Sequence, residues 1–111
     1  MAFLRVCALA DLRDDAALGV HVDGQDVALA RHGEEIFAVE DMCSHANVAL
    51  SEGDIEDCTV ECWLHGSRFD LRTGKPTGLP ATEPVATFPV DVRDGDVYVD
   101  IEHSLNGVTP A

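Results

Sequence analysis

The sequence predicts an all-β domain, a sandwich or a small barrel. Three observations point there. Apolar and polar residues alternate in short runs, Gly and Asp signals separate the runs, and only one stretch could turn helically. Residues 3–9 alternate loosely. Residues 17–22 alternate clearly and run into Asp23-Gly24. Residues 27–31 and 36–39 flank His32-Gly33-Glu34 and read as a hairpin. Residues 59–62 and 68–71 are short strands, the second followed by a turn at Thr73-Gly74. Residues 85–92 and 97–101 flank Arg93-Asp94-Gly95-Asp96, a second hairpin. Residues 11–16 could form one helical turn. Two irregular stretches, 40–57 and 73–84, break this rhythm, the second carrying Pro76, Pro80 and Pro84. Irregular loops inside a small β domain are where function concentrates. The tail from residue 103 is expected to be loose.

A chain of 111 residues fits one domain. Burial alone leaves a domain of this size marginal, and a bound metal centre would help to hold it together. No apolar run is long enough for a transmembrane helix, and the start shows no basic segment followed by a long apolar stretch. A cytoplasmic monomer is expected. The 21 acidic side chains outnumber the 7 basic ones, for a net charge of −14. Such a surface disfavours nucleic acid and anionic membrane, and suits a partner with a basic face.

The four cysteines are Cys7, Cys43, Cys58 and Cys62. Without a secretory signal, cysteines next to closely spaced histidines point to metal rather than disulfides. Cys43-Ser44-His45 lies in the first irregular stretch, and Cys62-Trp63-Leu64-His65-Gly66 follows a strand. Each arm offers one thiolate and one imidazole. Structural zinc fingers usually segregate cysteines and histidines into separate knuckles, whereas a cluster with Cys on one iron and His on the other takes both kinds from both loops. The pattern C-x-H…C-x-x-H fits one [2Fe–2S] cluster, with mononuclear zinc as the alternative. Cys43 and Cys62 would then hold one iron, and His45 and His65 the other.

These two boxes, the second continuing through Ser67-Arg68-Phe69-Asp70, resemble those of the Rieske family, and residues 76–80 resemble its proline loop. The resemblance implies a β-sandwich base with a cluster-binding subdomain inserted at about residues 41–82, the whole of 1–111 forming one Rieske domain. The chain's length resembles the stand-alone ferredoxins of bacterial ring-hydroxylating dioxygenase systems. That implies a non-catalytic one-electron carrier between a flavin NAD(P)H reductase and a terminal oxygenase. Residues 43–48 with 62–67 also resemble actinobacterial Rieske ferredoxins associated with iron–sulfur assembly, which implies an accessory role as the alternative. A small subunit of a nitrite-reductase-like complex is a third reading. The extra cysteines of respiratory Rieske proteins fall at Val48 and at Trp63 or Leu64, so their disulfide is absent. Ser67 keeps one hydroxyl donor of the high-potential relatives, while Phe69 lacks the second.

The remaining residues have plainer readings. Cys7 and Cys58 are expected to be buried thiols, and His21, His32 and His103 to be solvated. Trp63 either anchors a partner or packs against the proline loop. The acidic run Asp54, Glu56 and Asp57 is a solvated face or a docking patch. Gly66 and Gly78 are expected in tight loops around the cluster. There is no GxGxxG, P-loop or GxSxG motif, and no catalytic residue is predicted.

Overall fold

The computed structural model describes residues 3–42, 49–63, 66–78 and 83–108. Among the described residues, ten strands fall into three antiparallel sheets. The first sheet orders β1 (Leu4–Ala8), β10 (Asp96–Val99) and β9 (Val90–Arg93). The second orders β2 (Ala16–Val22), β3 (Gln25–His32), β4 (Glu35–Glu40) and β8 (Thr87–Phe88). The third orders β5 (Ile55–Glu56), β6 (Thr59–Glu61) and β7 (Arg68–Asp70), and falls in sequence between β4 and β8. Among the described residues there is no α-helix, only 3-10 turns at Leu9–Asp11 and Leu50–Glu52.

β3 is the strand that joins two cores. Val27, Leu29, Ala38 and Phe88 pack with Cys7, Val97 and Val99 of the first sheet, giving the sandwich. Ala28, Ala30 and Val39, on the alternate positions, pack with Ile55, Val60, Phe69 and Leu71 of the third sheet. Successive strand side chains point to opposite faces, so a strand buried on both sides needs a continuous apolar run. Val27-Ala28-Leu29-Ala30 is that run, at no more than 1% exposure throughout. Its small residues face the third sheet, which lets Phe69 and Leu71 approach closely.

Several sequence expectations shift at their edges. The single strand expected over 85–92 is divided at Pro89. Pro89 has no N–H to give a ladder, and the chain changes sheets there: Phe88 pairs with Ala38, whereas Val90 pairs with Val99. The loose alternation of residues 3–9 is a register irregularity between Arg5 and Cys7. The helical turn expected at 11–16 sits earlier, at Leu9–Asp11, because the Asp11 carboxylate accepts the Ala8 N–H and closes the turn from behind. β10 stops before Asp100, whose buried carboxylate accepts the Glu102 N–H and bends the chain away. β5 was not expected. Its hairpin with β6 turns through Asp57-Cys58, both with positive φ, 51° and 60°. That turn lacks the Gly that marks Asp23-Gly24 and Asp94-Gly95 as two-residue hairpin turns.

The tail is not loose through residue 108, and residues 109–111 lie outside the described residues. It folds back over the chain that re-enters the sandwich. Val85 N–H donates to Gly74 O, and Val85 O accepts from Asn106 Nδ2. Ala86 exchanges bonds with Glu40: its N–H donates to Glu40 Oε1, and its carbonyl accepts Glu40 N–H. Thr87 N–H donates to Asn106 Oδ1, and Thr87 O accepts Leu105 N–H. Every backbone polar group of residues 85–87 is therefore satisfied, as burial requires. The Thr87 hydroxyl is not; it is buried with no partner among the described residues. Thr87→Val removes that unsatisfied group while keeping the branched shape. It is expected to raise stability by about 1 kcal/mol, seen as a higher Tm in thermal unfolding.

Candidate metal centre

The two arms that carry the predicted donors are closed at their bases. The first leaves β4 at Glu40, and Cys43 and His45 lie outside the described residues. On either side of that stretch, Asp41 Oδ1 accepts the Ser51 N–H and Asp41 Oδ2 accepts the Ser51 hydroxyl, both at 2.7 Å. Leu50 of the returning 3-10 turn is fully buried in the same core as Cys62. Gly19 of β2 lies directly beneath this clasp, where a Cβ would come within 2.8 Å of the Ser51 hydroxyl and 2.9 Å of Asp41 Oδ2.

The second arm is the β6–β7 connection. Its last ladder pair is Glu61 with Arg68. Beyond it, Cys62 N–H donates to Ser67 O at 2.6 Å and Gly66 N–H donates to Cys62 O at 2.8 Å. These two bonds tie Cys62 to Gly66 and Ser67. Gly66 sits at φ 78°, a left-handed conformation that a side chain would strain. Cys62 is fully buried, and Ser67, whose carbonyl accepts its N–H, is buried too. Trp63 projects outward with half its surface exposed, while Leu64 and His65 lie outside the described residues. Gly78 does not need glycine on the same grounds. Its φ is not left-handed, and a Cβ there would meet open space.

What brings the arms together is the chain between them. Glu61 N–H donates to Asp54 O at 2.9 Å, and a Cβ on Gly53 would overlap the Glu61 carbonyl oxygen. The exit of the first arm thus lies against the entry of the second. The donor set fits a Rieske cluster on its chemistry: each of the two sequence boxes offers one thiol and one imidazole, and the described thiol, Cys62, is screened from water. Its backbone groups are already bonded within the loop, so its position does not depend on a ligand for closure.

The comparisons with known proteins agree. The model of the Rieske [2Fe-2S] domain matches residues 2–89. A Photorhabdus laumondii protein, the ferredoxin subunit of 3-phenylpropionate/cinnamic acid dioxygenase, is 48% identical over 102 residues, covering 91% of this chain and 96% of its own. The chain belongs to the Rieske [2Fe–2S] ferredoxins of ring-hydroxylating dioxygenase systems. Its fold is correspondingly close to the ferredoxin of carbazole 1,9a-dioxygenase from Nocardioides aromaticivorans IC177, with a TM-score of 0.85, 36% identity and coverage of 89% and 97% of the two chains. A carbazole 1,9a-dioxygenase ferredoxin in complex with its oxygenase matches with a TM-score of 0.82 at 38% identity, covering 87% of this chain and 91% of that one. The Rieske ferredoxin carries a [2Fe–2S] cluster as its cofactor and transfers electrons rather than catalysing a reaction itself.

Other residues singled out in the sequence take simpler places. Cys7 and Cys58 are buried and unbridged. Burial, as the largest cause, raises both thiols above their ordinary pKa; nearby Asp11 adds to this for Cys7, while Arg72 opposes it for Cys58. His21, His32 and His103 are at the surface as expected, yet each places Nδ1 on an aspartate: Asp26 at 2.7 Å, Asp15 at 2.9 Å and Asp100 at 3.3 Å. Single histidines carry no sequence signal for such partners. Phe69 is fully buried in the core that holds Cys62, with Pro76 bridging it from the neighbouring segment. Asp54, Glu56 and Asp57 are exposed, with Glu56 reaching Arg68 at 3.7 Å. Among the described residues no helix is long and apolar enough to cross a membrane.

The arm geometry makes Gly53 a sensitive position. Gly53→Ala must displace backbone at Glu61, and a cost of roughly 1–3 kcal/mol is expected. Denaturant unfolding measures it, and iron retention on purification should fall with it. The buried thiols give a second expectation. Cys7 and Cys58 should resist alkylation at neutral pH while the protein is folded, and both should label once it unfolds. Because their folded pKa values are raised, the unfolded thiols ionise first as pH rises. The stability they contribute is complete below the ordinary thiol value of about 8.5 and is lost as pH climbs through the folded values. Unfolding midpoints of Cys7→Ala should therefore fall less steeply in alkali than those of the wild type.

Proposed function

We propose that Cys43 and Cys62 hold one iron of the cluster and His45 and His65 the other, and that the protein carries single electrons from a flavin NAD(P)H reductase to a terminal ring-hydroxylating oxygenase. One observation carries this reading. Asp54, on the chain leaving the first donor box, is hydrogen-bonded to Glu61, which enters the second, in a chain that is 48% identical, nearly end to end, to a dioxygenase ferredoxin subunit. When bound, the cluster accepts and releases one electron, and imidazole ligation leaves it less negative than four thiolates would. The protein's own part is to hold the donors and present them. Cys62 is buried and Trp63, the next residue, is half exposed. Met42, just before Cys43, is also exposed, so the donor loops are flanked by apolar surface. Exposed aromatics anchor interfaces well, and this favours a docking role for Trp63 over packing under the proline loop. The oxygenase complex of the related carbazole ferredoxin supports this partner class.

Electrostatics supports a basic partner. Arg5, Arg68, Arg72 and Arg93 are engaged by the chain's own carboxylates. Glu52, Asp54, Glu56 and Asp57, around the hairpin next to the arms, face solvent. They present negative charge that speeds encounter with a cationic surface.

Metal and spectroscopic analysis tests the ligands. The purified protein should be red-brown, contain two irons and two sulfides per chain as a [2Fe–2S] centre requires, and give a low average g-value when reduced. Cys43→Ser and Cys62→Ser should lose the cluster. His45→Cys and His65→Cys should lower the potential wherever a cluster still forms. A colourless protein holding one zinc and no sulfide would refute the assignment. With the cognate reductase and oxygenase, transfer should slow as salt rises from about 0.05 to 0.5 M, as the screening length shrinks from above 10 Å to a few ångströms. Trp63→Ala should slow it at every salt concentration.

A further inference from the structure

Residues 75–77 lie along the free edge of the third sheet, against β7. Asp70 N–H donates to Lys75 O, Thr77 N–H donates to Arg68 O, and Pro76 bridges Phe69. β7 continues the loop of Cys62, so this segment is a strap on that arm. Its two legs return to the base at Gly74 and Val85, which are hydrogen-bonded to each other. One side chain spans both legs. Asn106 Nδ2 donates to Thr73 O at 2.9 Å and to Val85 O at 2.7 Å. Its Oδ1 accepts from Thr87 N–H, the Ser104 hydroxyl and Val108 N–H. The donor half of the amide thus holds the legs, and the acceptor half fixes the amide to the tail and to β8. The match to the Rieske domain model ends at residue 89, so this pin lies outside it.

We infer that Asn106 is a positioning residue for the arm that carries Cys62, pinning Thr73 to Val85 so that residues 75–77 stay against β7 and the arm is held in one arrangement. The pin itself follows from geometry alone; its effect on the cluster rests on the assignment of Cys62 and His65 as ligands. The two halves of the amide separate the pin from mere folding. Asn106→Asp keeps an acceptor for Thr87, Ser104 and Val108, but it cannot donate to Thr73 O or Val85 O and sets a negative charge against them. Val97→Ala, in the sandwich core away from the strap, is the control for general destabilisation. Ser104→Ala removes one bond to the acceptor half and leaves both legs pinned.

The experiment is hydrogen exchange on the cluster-loaded protein, paired with the rate at which an iron chelator bleaches the cluster. In Asn106→Asp, the amides of Asp70, Gly74, Thr77 and Val85 should exchange on the order of tenfold faster, as expected for losing hydrogen bonds of typical strength. Bleaching should accelerate several-fold. Val97→Ala should lower Tm while leaving both readouts at wild-type values, and Ser104→Ala should leave exchange at those amides unchanged. Wild-type exchange in Asn106→Asp would overturn the pin, as would equal acceleration in Val97→Ala. Faster exchange with wild-type bleaching would overturn the positioning role, while the ligand assignment, which the Cys and His variants test separately, would stand.

Discussion

The approach of Gly53 to the backbone of Glu61 is the constraint on which the joining of the two arms depends. Any side chain at residue 53 would occupy the space of the Glu61 carbonyl. Because Glu61 N–H is also bound to Asp54 O, the two arms are locked in register at adjacent residues. Everything nearby is arranged around that contact. Asp41 and Ser51 close the first arm, the Cys62–Ser67 loop closes the second, and Leu50 and Cys62 share one core. A redox centre needs its donors fixed before the metal arrives, since ligands held by locked neighbours lose little freedom on binding.

That arrangement is possible because β3 is asymmetric. Its Val27 and Leu29 fill the sandwich, whereas Ala28 and Ala30 leave space on the other face. The third sheet has only three short strands and could not bury Phe69, Leu71 and Val60 unaided. It borrows the second sheet as the opposite wall of its core. A larger side chain at Ala28 or Ala30 would therefore press on the third sheet rather than on the sandwich core, although both residues belong to the second sheet.

Much of this was legible in the sequence, and the exceptions have physical causes. Hairpins turning at Asp23-Gly24 and Asp94-Gly95 announce themselves, because those residues adopt positive φ readily. The Asp57-Cys58 turn has the same shape without the glycine, and β5 was hidden with it. Pro89 was visible, but an apolar run on both sides masked its meaning as the point where the chain leaves one sheet for another. The mixed Cys/His boxes and the family were readable because they are local motifs. The roles of Glu40, Asp41 and Asn106 were not, since each acts on backbone far away in sequence and no spacing rule encodes such a bond. The same holds for the expectation of a loose tail. A polar residue near a terminus looks like solvated chain until its amide is seen to bind both Thr73 and Val85.

The tail bears on function through the neck of the insertion. Chain leaves the base at Glu40 and re-enters at Ala86, and these two residues exchange hydrogen bonds through the Glu40 backbone and carboxylate. The Glu40 carboxylate is buried, and a buried charged acceptor is retained only where donors satisfy it. The Ala86 N–H is such a donor, and it bonds to that carboxylate rather than to a strand carbonyl, since the ladder between β4 and β8 covers only Ala38–Phe88 and Val39–Thr87. The short ladder and the buried carboxylate therefore explain each other: a side chain completes what the sheet leaves open. Asn106 performs the same service one residue to either side, at Val85 and Thr87. The neck is thus sealed by two polar side chains where the ladder ends, which fixes the third sheet to the sandwich against which its core is packed.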